Sequence, residues 1–158
     1  MAGRTWSAHG SVPVSVGVLS YAGGVVLAST GSGMYASSDG GVTFAERALA
    51  GLSLGTLTMH SDGLRGYAFA AGLGAVRTND GGATWSPVNR GLEGVHVQRL
   101  ALTDTQLVVG TVNGPFVSSD FARSFRRVDG FLSMPVTDAR QSRGTLWLGT
   151  FARARPRQ

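Results

Sequence analysis

Side chains able to do chemistry are few in this chain of 158 residues, and most are acidic or guanidinium groups. Asp39, Asp80 and Asp120 stand 41 and 40 residues apart, a tempting set for a metal or for acid–base work. The same regularity argues against it. Residues repeated at that interval fall on successive structural units, and aspartate before a tight turn serves the turn's own amides. Asp62 in Ser-Asp-Gly and Asp104 in Thr-Asp-Thr read the same way. Glu46, Glu93, Asp129 and Asp138 are scattered. Glycoside hydrolysis needs two carboxylates across one sugar bond, roughly 5 to 9.5 Å apart, and no such pair stands out. His9, His60 and His96 lack the short spacing of metal ligands, and no cysteine supplies a thiolate. No Gly-x-Gly-x-x-Gly precedes a helix, so a phosphate cradle is unsupported. Arg123, Arg126 and Arg127 read as a solvated strand face. The expectation is no catalytic residue, no cofactor site and no metal site.

All 14 basic residues are arginine, and lysine and isoleucine are absent. The net charge is +5, but Arg153, Arg155 and Arg157 crowd into a basic tail over 153–158, and without them it falls to +2. That leaves no electrostatic case for nucleic acid. No apolar run of 18 residues exists, so no transmembrane helix is expected. Val12 to Ala28 looks like a leader core, yet Gly17, Gly23 and Gly24 interrupt it and it falls within the repeat described next. Cytoplasmic placement is expected if Met1 is the natural start, and export if a leader precedes it.

Three segments align without a gap: Gly33 to Phe44, Gly74 to Trp85 and Gly114 to Phe125. In each, the aspartate stands six residues after a glycine and five before an aromatic. Short apolar stretches precede each copy, at Val25–Thr30, Tyr67–Ala71 and Leu107–Thr111, and before those around Val16–Leu19, Leu57–Met59 and Leu100–Leu102. With 24 glycines at the joints, one unit reads strand, turn, strand, glycine turn, strand, Asp turn, strand. That is one four-stranded propeller blade. The predicted fold is all-β: a single partial β-propeller domain over 1–152. Its units run about 16–55, 56–97 and 98–136, with an incomplete one over 137–152. Thr5-Trp6 matches Thr84-Trp85 and adds part of a blade at the front, whereas Arg153 and Pro156 break the pattern at the back.

The Asp turn predicts specific roles. Asp39, Asp80 and Asp120 accept turn amides, and Gly41 and Gly82 supply positive φ. Thr43, Thr84 and Ser124 bond the backbone through their hydroxyls. Phe44, Trp85 and Phe125 are buried between neighbouring sheets. The third copy has Phe121-Ala122 in place of Gly-Gly, so its turn is expected to be looser or differently shaped.

The pattern Ser/Thr-x-Asp-x-Gly-x-Thr-Trp/Phe resembles the Asp-box, or bacterial neuraminidase repeat. Asp80-Gly-Gly-Ala-Thr-Trp-Ser-Pro-Val-Asn-Arg-Gly-Leu92 is similar to its version in bacterial propellers of the photosystem II assembly-factor, sortilin and xyloglucanase types. The resemblance implies a β-propeller for nearly the whole chain and leaves function divided, since enzymes, receptors and scaffolds share the box. A sialidase would need an arginine cluster, a Tyr-Glu pair and an Arg-Ile-Pro motif, and the motif is absent. The expectation is a non-catalytic binding or assembly scaffold, as an excerpt or truncated form of a larger propeller. The alternative is part of a glycoside hydrolase, xyloglucanase-like before sialidase-like. Its partner, protein or polysaccharide, is left open. Self-association to complete the ring is a second way of covering exposed sheet faces.

Overall fold

In each unit a strand buried on both faces sits at the centre of a sheet, which is why the apolar runs Leu27-Ala28 and Leu107-Val108-Val109 show no alternation. The structure, a computed structural model, describes residues 10–103, 105–130, 135–142 and 145–150. All of its regular elements are strands. β1 (Val16–Ala22), β2 (Val25–Thr30), β3 (Met34–Ser37) and β4 (Ala45–Ala48) form one antiparallel sheet in that order. β5 (Leu54–Met59), β6 (Gly66–Ala70), β7 (Gly74–Thr78) and β8 (Ser86–Pro87) form the second. β9 (Val97–Leu102), β10 (Leu107–Thr111), β11 (Gly114–Ser118) and β12 (Arg126–Arg127) form the third. β13 (Val136–Ser142) pairs with β14 (Thr145–Thr150) as a two-stranded sheet. This is the blade order of a β-propeller, as the repeat predicts.

The first strands β1, β5, β9 and β13 neighbour one another in succession, so the sheets stand around a common axis with β4, β8 and β12 outermost. The outer strands are short and exposed, and Pro87 is tolerated there because an edge strand can spare one amide. Near the start of each first strand the register slips by one residue, between Val16 and Val18, Leu54 and Thr56, Val97 and Arg99, and Val136 and Asp138. A bulge adds twist and bends the strand where sheets crowd toward the axis.

The core lies between the sheets. Leu27, Met34 and Ala36 of the first sheet meet Leu54, Leu57, Ala68 and Val76 of the second, with Trp85 packed against them. Tyr67, Ala75 and Leu92 meet Leu100, Leu107, Val109 and Phe125. Ala101, Val108 and Val117 pack with Val128 and Leu148. Close approach demands glycine at Gly91, where φ is +89° and a Cβ would collide with the Phe125 carbonyl oxygen. The segments before residue 10 and after residue 150, including Trp6, Arg153 and Pro156, lie outside the described residues.

Candidate binding cleft and the Asp turns

Each Asp turn starts from a buried hydroxyl, the first position of the Ser/Thr-x-Asp pattern, to which the sequence reading gave no role. Ser37, Thr78 and Ser118 end the third strands and are almost fully buried. Ser37 Oγ donates to Asp39 Oδ1 at 2.7 Å and accepts the Gly41 amide at 2.8 Å. Thr78 Oγ1 donates to Asp80 Oδ1 at 2.8 Å and accepts the Gly82 amide at 2.9 Å. Ser118 Oγ repeats this with Asp120 Oδ1 (2.7 Å) and the Ala122 amide (2.9 Å). The hydroxyl's recurrence two residues before the aspartate in all three copies is the signal from which that role could have been read.

The hydroxyls of Thr43, Thr84 and Ser124 bond the aspartate rather than the backbone, a correction to the expected role. They donate to Oδ2 of Asp39, Asp80 and Asp120 at 2.6, 2.5 and 2.6 Å. The amides of the same residues donate to Oδ1. A carboxylate ringed by donors resists protonation. The Thr84 hydroxyl, then its amide, lower Asp80 to about 2. Asp39 is held well below the usual carboxylate range, chiefly by Thr43, and Asp120 chiefly by Ser124.

The third turn keeps this whole bond set, so it is not looser. Phe121 and Ala122 take the left-handed conformation themselves, with φ of 59° and 61°, where Gly40 and Gly41 have 77° and 94°. Each such residue costs about 1–2 kcal/mol, which Ser118 and Asp120 hold in place. The aromatics differ more than expected. Phe125 is 7% exposed between the second and third sheets, but Trp85 is only half-buried against the first core cluster. Phe44 is half-buried too. Trp85 and Phe125 pack toward the preceding sheet, and no sheet precedes the first among the described residues.

The remaining candidates scatter. Glu93 accepts the Gly91 amide at 2.8 Å. Glu46 and Asp138 are exposed on β4 and β13, and Asp129 and His96 are exposed in connections. Arg126 and Arg127 are exposed on β12, Arg127 reaching the Asn113 carbonyl. His9 and Asp104 lie outside the described residues. Among the described residues no three His, Asp or Glu are grouped to hold a metal. Nor, among the described residues, is any helix long and apolar enough to cross a membrane.

What the fold does gather is a cleft between the second and third sheets, of about 240 Å³. The turn between β5 and β6 supplies His60 and Arg65, β6 supplies Tyr67, and the third sheet supplies Leu102, Leu107 and Phe121. Asp62 organises that turn, accepting the Leu64 amide (2.9 Å), the Arg65 amide (3.0 Å) and Arg65 Nε (2.6 Å). Burial pushes its carboxyl up, but these bonds prevail and hold it well below the usual range. His60 Nδ1 lies 3.3 Å from the same carboxylate. The Arg65 guanidinium stands 5.1 Å from the centre of the Phe121 ring, a cation–π distance. Arg77 Nη1 donates to the Phe121 carbonyl at 2.7 Å. Phe121 itself is 57% exposed. Sequence reasoning missed Arg65, Tyr67 and Arg77 because only packing between sheets brings them to Phe121; the one sign was Phe121 in a glycine column.

No protein-family profile and no curated protein matches the chain. Its fold is similar to that of the GH74 xyloglucanase of Xanthomonas campestris, with a TM-score of 0.69 at 15% identity over 85% of this chain and 26% of that one. It is similar to YCF48 bound to D1 peptide, with a TM-score of 0.65 at 15% identity over 84% of this chain and 47% of that one. The computationally designed Ika4 protein matches with a TM-score of 0.61 at 10% identity, over 95% of this chain and 99% of that one. The chain thus has a β-propeller fold and spans about a quarter of the xyloglucanase and about half of YCF48.

Proposed function

We propose that the chain is a non-catalytic binding or assembly module of the Asp-box propeller type, forming one domain over 1–152 and a piece or shortened form of a larger propeller. One observation carries the reading: Asp39, Asp62, Asp80 and Asp120 are all engaged as acceptors within their own turns. A carboxylate held that far toward ionisation is a poor general acid at neutral pH. No carboxylate lines the cleft among the described residues, whereas its apolar floor and few polar groups suit binding. The likeness to YCF48 bound to a peptide supports a protein partner.

The rival, part of a glycoside hydrolase, is favoured by the likeness to the GH74 xyloglucanase. Incubation with xyloglucan, β-glucan and sialyl-lactose separates the two. No release of reducing sugar or sialic acid is expected. Turnover abolished by Glu46→Gln or Asp138→Asn would overturn the binding reading.

A further inference from the structure

Beside the cleft lies an open depression of about 280 Å³ lined by Arg65, Arg77, Asn79, Phe121 and Arg123. The two share Arg65 and Phe121, so one aromatic ring parts an apolar hollow from a surface of guanidinium and amide donors. We propose that together they form one ligand site, which takes a small carboxylate carrying a flat apolar body. The inference rests on the binding reading and names the ligand chemistry of its cleft.

Several independent features point to this ligand. Tyr67 is 4% exposed and lines the cleft. Burial raises its pKa, against the charges of Arg77 and Arg65, which lower it. Arg77 Nε is buried without a partner, and Arg123 is exposed with its side chain unbonded among the described residues. Buried polar groups are ordinarily paired, and unpaired ones mark a site where a partner is missing. Asp62 and Asp120 lie near, but their oxygens serve their own turns. The residues that line the depression, Arg65, Arg77, Asn79 and Arg123, therefore suit a carboxylate, which guanidinium grips with two parallel bonds.

Phe121 supplies the second half of the argument. A bulky residue with positive φ is an outlier, and this one occupies a position where the other two turns carry glycine. Retained strain of that kind gathers at functional sites. The ring is not needed to close the turn, which is built by Ser118, Asp120 and Ser124. The cleft is smaller than the roughly 300–1,000 Å³ of drug-sized sites, which limits the apolar body to one or two rings.

The test uses 2-naphthoate as the probe, with neutral 2-naphthylmethanol and acetate as controls, followed by calorimetry and probe anisotropy. The expected result is saturable binding of naphthoate, with both controls at least tenfold weaker. Phe121→Gly places at this position the glycine that the other copies carry, so its urea midpoint should be unchanged or raised while naphthoate binds at least tenfold more weakly. Arg123→Gln and Tyr67→Phe should each weaken naphthoate several-fold, with less effect on the alcohol. Absence of saturable binding, equal affinity for acid and alcohol, or undiminished binding by Phe121→Gly would overturn the site. These failures leave the non-catalytic reading standing, since only turnover of a glycan defeats that.

Discussion

Thr78→Val probes the anchor of the Asp turn with almost no change of shape. The Thr78 hydroxyl is 1% exposed as part of its residue, donates to Asp80 Oδ1 at 2.8 Å and accepts the amides of Gly82 at 2.9 Å and Asp80 at 3.2 Å. Valine fills the same volume, so no cavity forms and the effect is polar. Gly82 is buried, and its amide would be left without an acceptor, at about 1–3 kcal/mol. The carboxylate also loses one of its donors, which water replaces on its exposed side. A net loss of about 2 kcal/mol is expected, or a fall of about 4–8 °C in Tm for a chain of this size. Thr84→Val is the control, because its hydroxyl donates to the same carboxylate but at an exposed position; about 0.5 kcal/mol is expected there. Urea unfolding followed by far-ultraviolet circular dichroism measures both. Equal losses for the two variants, or a Thr78→Val loss below about 0.5 kcal/mol, would refute a buried hydroxyl as the anchor.

Four further outcomes are expected. The turn's donors lower the Asp80 carboxyl from 3.8 to about 2 in the folded chain, so its contribution to stability is complete above the higher value and disappears as pH falls through the lower one; Asp39 and Asp120 act in the same direction. Urea midpoints should therefore drop between about pH 5 and pH 2, less steeply in Asp80→Asn, and a flat profile would contradict the hydrogen-bonded turns. Gly91→Ala should cost at least about 2 kcal/mol, since φ is +89° and the Cβ meets the Phe125 carbonyl, whereas Gly94→Ala, with φ of +67° and open space around it, should cost about 1; equal midpoints would show the contact is not tight. Arg77→Gln should destabilise the pairing of the second and third sheets by removing the bond to the Phe121 carbonyl, visible as faster amide exchange around residues 120–125. Because Leu19, Tyr21 and Trp147 are more than half exposed on β1 and β14, light scattering should give a mass above one chain of 16.4 kDa; a monomer with cooperative unfolding would oppose self-association.

The sheets were legible because their signals are local. The glycine-to-aspartate spacing positions β3, β7 and β11, and the apolar runs before them fix β2, β6 and β10 to within about a residue. The first-strand bulges were not legible, since Gly17 and Gly55 give way to Gln98 and Thr137 and no one residue type marks all four. Nor was the conformation of Phe121-Ala122: local preference argues against left-handed phenylalanine, and a bond set anchored on Ser118 and Asp120 overrides it. The cleft was invisible for a different reason. Arg77 and Phe121 are 44 residues apart, and nothing in one repeat states which side chain of the previous repeat it will face.

Trp85 belongs to the second unit but packs on a cluster that begins with Leu27, and Phe125 of the third unit completes the cluster around Tyr67. Translation therefore delivers the ring 58 residues after the leucine it covers. At roughly 5–20 residues per second, the first inter-sheet layer waits on the ribosome for about 3–12 s before its tryptophan exists. During that interval the emerging sheet has an uncovered apolar flank, which makes it a ready target for a chaperone or for a neighbouring nascent chain on the same message. Codon choice between residues 48 and 85 should then influence the yield of folded protein more than codon choice after residue 125.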